Sequence, residues 1–179
     1  MQTFSGRVAV VTGGASGIGR AMAERFAREN MKIVLADVEA AALEQTAAAL
    51  RAAGATVLAV PTDVACADSV EALAAKVVDT FGGVHVVCNN AGVALSGPVW
   101  THTTKDWEWL PGVNLWGVIH GIRVFVPLML ERGEEGHIVN TVSIAGLTSN
   151  PFMGPYNVSK HGVVTLSESL QRDLGLTGS

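Results

Sequence analysis

Tyr156 stands four residues before Lys160 in the stretch Tyr156-Asn-Val-Ser-Lys160. On a helix that spacing puts both side chains on one face, about 6 Å apart along the axis. A phenol of ordinary pKa, ~10, is about one part in a thousand ionised at pH 7, and lowering it by ~3 units corresponds to ~4 kcal/mol. An ammonium ~5 Å away at an effective dielectric of ~20 supplies ~3 kcal/mol of that. The pair is therefore a candidate proton-transfer couple, with Tyr156 as the acid/base. Ser143, thirteen residues before Tyr156, offers a hydroxyl that could steady charge as a carbonyl becomes an alkoxide or the reverse.

A second constellation lies near the amino terminus. Thr12-Gly13-Gly14-Ala15-Ser16-Gly17-Ile18-Gly19 follows a β-branched run and opens a helical pattern. Glycines in such a turn let the backbone approach a pyrophosphate seated at the positive helix N-terminus. Gly13, Ser16, Gly17, Ile18 and Gly19 are thus candidate dinucleotide contacts, in the spacing Gly-x-x-x-Gly-x-Gly. Asp37 ends the next β-branched run, where a carboxylate can accept from ribose hydroxyls and repel a 2′-phosphate. With Val38 after it and Ser16 in the loop, no cation is offered to such a phosphate. NAD is expected over NADP.

These residues need a scaffold that delivers them to one edge. Val8–Thr12, Lys32–Asp37, Thr56–Val60, Val84–Asn89 and His137–Thr141 are short, nearly continuous apolar runs, as in a parallel sheet covered on both faces. Helical patterns alternate with them over about 17–30, 39–53, 67–82, 103–131 and 156–173. The alternation predicts an α/β fold with a doubly wound parallel sheet in the order 3-2-1-4-5, in one domain over residues 1–179. Within 103–131, Thr103 or Thr104 can cap a short helix ending near Leu110, with Pro111 opening a longer one. The longer one is apolar almost all round and predicts burial in the core or against another subunit.

Taken in order, Thr12–Gly19, Asp63-Val64, Asn89-Asn90-Ala91-Gly92, Asn114, Ser143 and Tyr156-Asn-Val-Ser-Lys160 make the chain resemble the short-chain dehydrogenase/reductase family, of the plain single-domain type. The resemblance runs over essentially the whole chain and implies a Rossmann-type NAD(P) site. It implies that Asp63 and Val64 contact the adenine, that Asn90 supports the ribose region, and that Lys160 holds the ribose while tuning Tyr156. It also implies that Asn114 holds a water in a proton relay from Lys160. Family members usually continue with a further strand, a turn touching the nicotinamide, a substrate lid and a final strand. The fold is therefore expected to be cut before its last strands, leaving the fifth strand as an edge.

The functional expectation is an oxidoreductase that moves a hydride between NAD and a secondary alcohol or ketone. Leu147, Pro151, Phe152 and Met153 lie between Ser143 and Tyr156 and hint at a small apolar substrate. The alternative is a truncated, catalytically silent dinucleotide-binding or interaction module. The resemblance implies a homodimer or homotetramer. Other classes are disfavoured by composition: of 179 residues 49% are hydrophobic and 16% charged, with a net charge of -4 and no basic cluster for nucleic acid. The most apolar stretch, Val113 to Leu130, is interrupted by Asn114, His120, Arg123 and Pro127, which argues against a membrane span. The amino terminus shows no apolar leader, and a cytoplasmic protein is expected. Cys66 and Cys88 form no CxxC, and His85, His102, His120, His137 and His161 lack ligand spacing, so no metal is expected. Trp100, Trp107, Trp109 and Trp116 are explained by packing or a subunit contact rather than by a nucleobase platform.

Overall fold

A computed structural model describes residues 3–178. Five parallel strands, β1 (Val8–Thr12), β2 (Lys32–Asp37), β3 (Val57–Pro61), β4 (Val86–Asn89) and β5 (His137–Asn140), form one sheet in the order β3-β2-β1-β4-β5. The predicted α/β topology is the observed one. The period of two along each strand divides the core. Val8 and Val10 face Val70, Leu73, Val77 and Phe125, whereas Ala9 and Val11 face Ala23, Leu43, Ala47 and Leu50. Helices α1 (Gly17–Arg28) and α2 (Ala40–Ala52) cover the second face; α3 (Ala67–Phe81) and α5 (Gly117–Arg132) cover the first. Cys88 lies in the layer beneath α1 and α2, where burial pushes its thiol pKa up to about 12.

The stretch after β4 departs from expectation. Helix α4 (Thr104–Pro111) begins at Thr103 in a capping box with Asp106: Asp106 N–H donates to Thr103 Oγ1 at 3.2 Å and Thr103 N–H donates to Asp106 Oδ2 at 2.8 Å. α4 thus ends within one residue of the expected Leu110, but Pro111 closes it and does not open a new α-helix. The chain passes through a π-helical segment, Gly112–Trp116, directly into α5. Pro111 lacks the amide that Trp107 C=O would accept in an α-helix. The widened turn absorbs this defect, and Gly117 N–H donates to Gly112 C=O five residues back. The last helix, α6 (Gly154–Thr177), is longer than the 156–173 predicted and packs beside α4 and the π segment.

By length and composition the run Thr104–Arg132 could cross a membrane, with a mean hydropathy of 1.5 over its most apolar window. Here it is a packed layer of the fold, lying against α3, β4 and α6, with Arg123 paired to Glu71 of α3 at 2.6 Å. Among the described residues β5 pairs with β4 alone. Its outer side opens on a groove of about 830 Å³ lined by Val126, Leu130, Leu170 and Leu174 of α5 and α6.

Candidate active site

All five strands point their carboxyl ends the same way, so the loops leaving them share one rim. The order reverses between β1 and β4, and parallel sheets place a binding crevice at such a switch point. A cleft of about 780 Å³ lies there. Gly13, Ser16, Gly17, Ile18, Gly19, Asp37, Asp63, Val64, Asn90, Tyr156 and Lys160 all line it. The structure thus brings together every residue that the sequence assigned to a cofactor. Asn114 and Ser143 are not among its lining residues.

The glycine loop is shaped by contacts across the sheet. Gly13 adopts φ +64, and a Cβ there would stand 2.9 Å from Ala91 Cα. At Gly19 a Cβ would stand 2.0 Å from the Gly13 carbonyl oxygen. Gly17, at φ +52, has nothing within 4 Å of where its Cβ would be, so space lies open above the first turn of α1. Ser16, the N-cap, makes no side-chain cap bond, leaving that turn's amides without a capping oxygen. Asp37 is locked in place: Oδ2 accepts from Ala15 N–H at 3.0 Å and Oδ1 from Glu39 N–H at 3.1 Å. Each carboxylate oxygen keeps a lone pair for a further donor. Helix amides without a side-chain cap, open space over Gly17 and a fixed carboxylate fit a dinucleotide.

Asn90 ties the cleft floor together. Its Nδ2 donates to Thr12 C=O at 3.0 Å and its Oδ1 accepts from Thr141 Oγ1 at 3.1 Å, bridging the ends of β1 and β5. Thr12, given no separate role by sequence, holds the same turn: its Oγ1 accepts from the amides of Asn90 (2.9 Å) and Ala91 (3.1 Å). Asp63 Oδ1 accepts from Ala65 N–H at 2.9 Å, and Val64 packs where a Cβ on Gly117 would come within 2.8 Å of it.

At the other end of the cleft, Lys160 is only 4% exposed. Its Nζ donates to Thr141 C=O at 2.8 Å and lies 5.7 Å from the centre of the Tyr156 ring. Burial pushes the Lys160 pKa down, because low polarity disfavours the cation. Ser143 caps the short 3₁₀ turn Ile144–Gly146, its Oγ accepting from Ala145 N–H at 3.2 Å, which leaves its own proton to donate. Asn114 is fully buried in the π segment. Its Oδ1 accepts from Val93 N–H and its Nδ2 donates to Val93 C=O, both at 2.8 Å, with Ser159 Oγ at 3.4 Å from Nδ2. Asn114 therefore holds the loop after β4 against the helix that follows it.

The family model for short-chain dehydrogenases matches residues 7–178. The chain belongs to the short-chain dehydrogenase/reductase family. Within it, the chain is 35% identical to a CLA biosynthesis dehydrogenase/reductase of Lactiplantibacillus plantarum, over 97% of this chain and 61% of that protein. It is 42% identical to a 1-deoxy-11-beta-hydroxypentalenate dehydrogenase of Streptomyces arenae, over 93% of this chain and 60% of that protein. A solved short-chain dehydrogenase/reductase from Burkholderia phymatum, in complex with NAD, superimposes with a TM-score of 0.99 at 53% identity, over 100% of this chain and 64% of that one. The chain thus spans about three-fifths of the length of the curated relatives it matches.

Sequence reasoning missed several lining positions of this short-chain dehydrogenase cleft, among them Trp109 and Val113. Both fall on an apolar helix pattern that reads as packing. The sequence holds no signal that would turn them toward a cleft, since that depends on where the Asp63–Ala65 loop lies.

Proposed function

We propose that the chain carries the cofactor-binding and proton-transfer residues of an NAD-dependent oxidoreductase that interconverts a secondary alcohol and a ketone. The observation that carries this is the buried Lys160 ammonium 5.7 Å from the Tyr156 ring, on the same cleft as Asp37 and the glycine loop. NAD, when bound, supplies the two-electron acceptor or donor. Gly13 and Ser16–Gly19 offer amides to its phosphates, Asp37 accepts from ribose hydroxyls, and Asp63, Val64 and Asn90 line its remaining path. A carboxylate at Asp37 disfavours a 2′-phosphate, which supports NAD over NADP.

In this reading Tyr156 takes the alcohol proton through its phenolate oxygen, or returns it to the ketone. The Lys160 cation stabilises that phenolate, and the Ser143 hydroxyl donates to the substrate oxygen. Asn114 holds Val93 and the adjoining loop in register; a proton path from Lys160 past Asn114 belongs to the same reading. Exposed Leu147 and Phe152 between Ser143 and Tyr156 support a small apolar substrate. Exposed Trp116 and Leu130 before and on α5, with Val158 on α6, support a homodimer or homotetramer, and the family setting supports a cytoplasmic one.

The test is calorimetric titration with NAD⁺ and NADP⁺, followed by oxidation of a panel of apolar secondary alcohols monitored by reduced-nicotinamide absorbance. Tyr156→Phe is expected to lose about 10²–10⁴-fold in kcat while its NAD⁺ affinity stays within about twofold of the parent. Full activity in Tyr156→Phe would remove the proton-transfer assignment. Binding of NAD⁺ without turnover of any alcohol would leave the catalytically silent binding module.

A further inference from the structure

The four tryptophans do not share one environment. Trp100 and Trp116, 83% and 53% exposed, stand away from the cleft, whereas Trp109 lines it with 48% of its surface still open. Its position follows from the helix that carries it. Three residues on, a Cβ at Gly112 would lie 3.6 Å from Ala65 Cβ, and at Gly117 one would lie 2.8 Å from Val64 Cγ2. The helical run is thereby laid along the Asp63–Ala65 loop that leaves β3.

That loop belongs to the edge of the sheet opposite β5, whereas Lys160 and Thr141 sit at the β5 edge. Trp109 and Val113, four residues apart, join Val64 and Ala65 as one apolar stretch of a cleft wall to which Ile18 and Val38 also contribute. The middle of the cleft holds the uncapped amides of α1, and the far end holds Tyr156. A two-ended ligand whose phosphates take the middle and whose reacting ring takes the Tyr156 end leaves its other ring for this apolar wall. A half-exposed indole on the cleft wall suits a flat heteroaromatic ring, since stacking needs area rather than a specific set of hydrogen bonds.

We infer that Trp109 is a cofactor-binding residue, its indole serving as the stacking partner of the adenine ring. This rests on the dinucleotide reading above. It makes Trp109 a determinant of affinity rather than of chemistry, because the reacting groups stand at the other end. The same contribution then applies to any ligand that carries the adenine half, including ADP-ribose, which lacks nicotinamide.

The experiment is calorimetric titration of NAD⁺ and ADP-ribose into the parent protein, Trp109→Ala, Trp109→Phe and the off-cleft control Trp100→Ala, with tryptophan emission followed in parallel. Trp109→Ala is expected to weaken both ligands by the same factor, about 5- to 150-fold. Trp109→Phe keeps an aromatic face and is expected to stay within about fivefold of the parent, while Trp100→Ala is unchanged. ADP-ribose should quench the parent's emission and do so much less in Trp109→Phe. Parent-like affinity of Trp109→Ala for both ligands overturns the inference while leaving the dinucleotide reading intact. If Trp109→Ala fails to fold, equal quenching in the parent and Trp109→Phe overturns it instead. A parent protein that binds neither NAD⁺ nor NADP⁺ overturns the dinucleotide reading and this inference together.

Discussion

Gly19 shows how tightly a single residue can be fixed by its neighbours. A Cβ there would meet the Gly13 carbonyl oxygen at 2.0 Å and Asn90 Nδ2 at 2.7 Å, so a methyl group has to push apart the turn and the residue that clamps it. Gly19→Ala is expected to cost about 1–3 kcal/mol. For a domain of this size that lowers Tm by roughly 2–12 °C. It should also weaken NAD⁺ by about tenfold or more, because the displaced amides are those proposed to meet its phosphates. Gly175→Ala in α6, where a Cβ meets nothing within 4 Å, is the control and should not lower Tm in the same differential scanning measurement. The need for glycine in this loop was legible from its place between a strand and a helix. The Gly13 and Asn90 atoms that exclude a side chain at Gly19 were not, since Asn90 lies 71 residues away.

Between Thr103 and Arg132 a defect in one element has been turned into placement. Pro111 breaks the regular hydrogen-bond ladder, the π segment absorbs the break, and Asn114 emerges buried with both ends of its carboxamide on Val93. Asn114→Ala strands the Val93 N–H and C=O at a partly buried site, at about 1–3 kcal/mol for each group left unmade. A loss of roughly 2–6 kcal/mol in urea unfolding is expected, with weaker NAD⁺ binding because Ala91 to Ala94 line the cleft. Unchanged stability would mean that these two bonds do not hold the loop. The sequence signalled a break at Pro111 correctly as a missing donor and as the end of α4, and incorrectly as the opening of the longer helix. Capping residues and apolar spacing are local quantities, whereas the continuation depends on α3, β4 and α6 packing around the segment.

Across the whole molecule, the amino edge of the sheet is tied by a cluster remote from the cleft. His85 Nδ1 accepts from Val8 N–H at 3.1 Å, which places its proton on Nε2, donating to Glu134 Oε2 at 2.9 Å. Arg7 pairs with the same oxygen at 2.9 Å and Arg132 with Oε1, so the cluster joins the entry to β1 and β4 with the end of α5. The hydrogen bond from His85, then that from Arg132, hold the Glu134 carboxyl below its usual range near 4.5. A depressed folded pKa gives stability that is fully present above the unfolded value and lost as the pH falls through the folded one. Glu134→Gln should therefore flatten the acid limb of a plot of urea midpoint against pH below about 4.5, and an unaltered limb would detach this cluster from acid stability. By itself the sequence determined the alternation of five strands with helices, the glycine turn after the first strand, and the shared helical face of Tyr156 and Lys160. Each of these is a period or a spacing carried by neighbouring residues, and the backbone turns such spacing directly into geometry. Only the tertiary structure decided that Thr12 serves two amides 78 and 79 residues away, that Trp109 lines the cleft while Trp116 does not, and that a π segment joins α4 to α5. Those outcomes depend on which surfaces meet when the strand order reverses between β1 and β4, and contacts between distant segments leave no period in the chain.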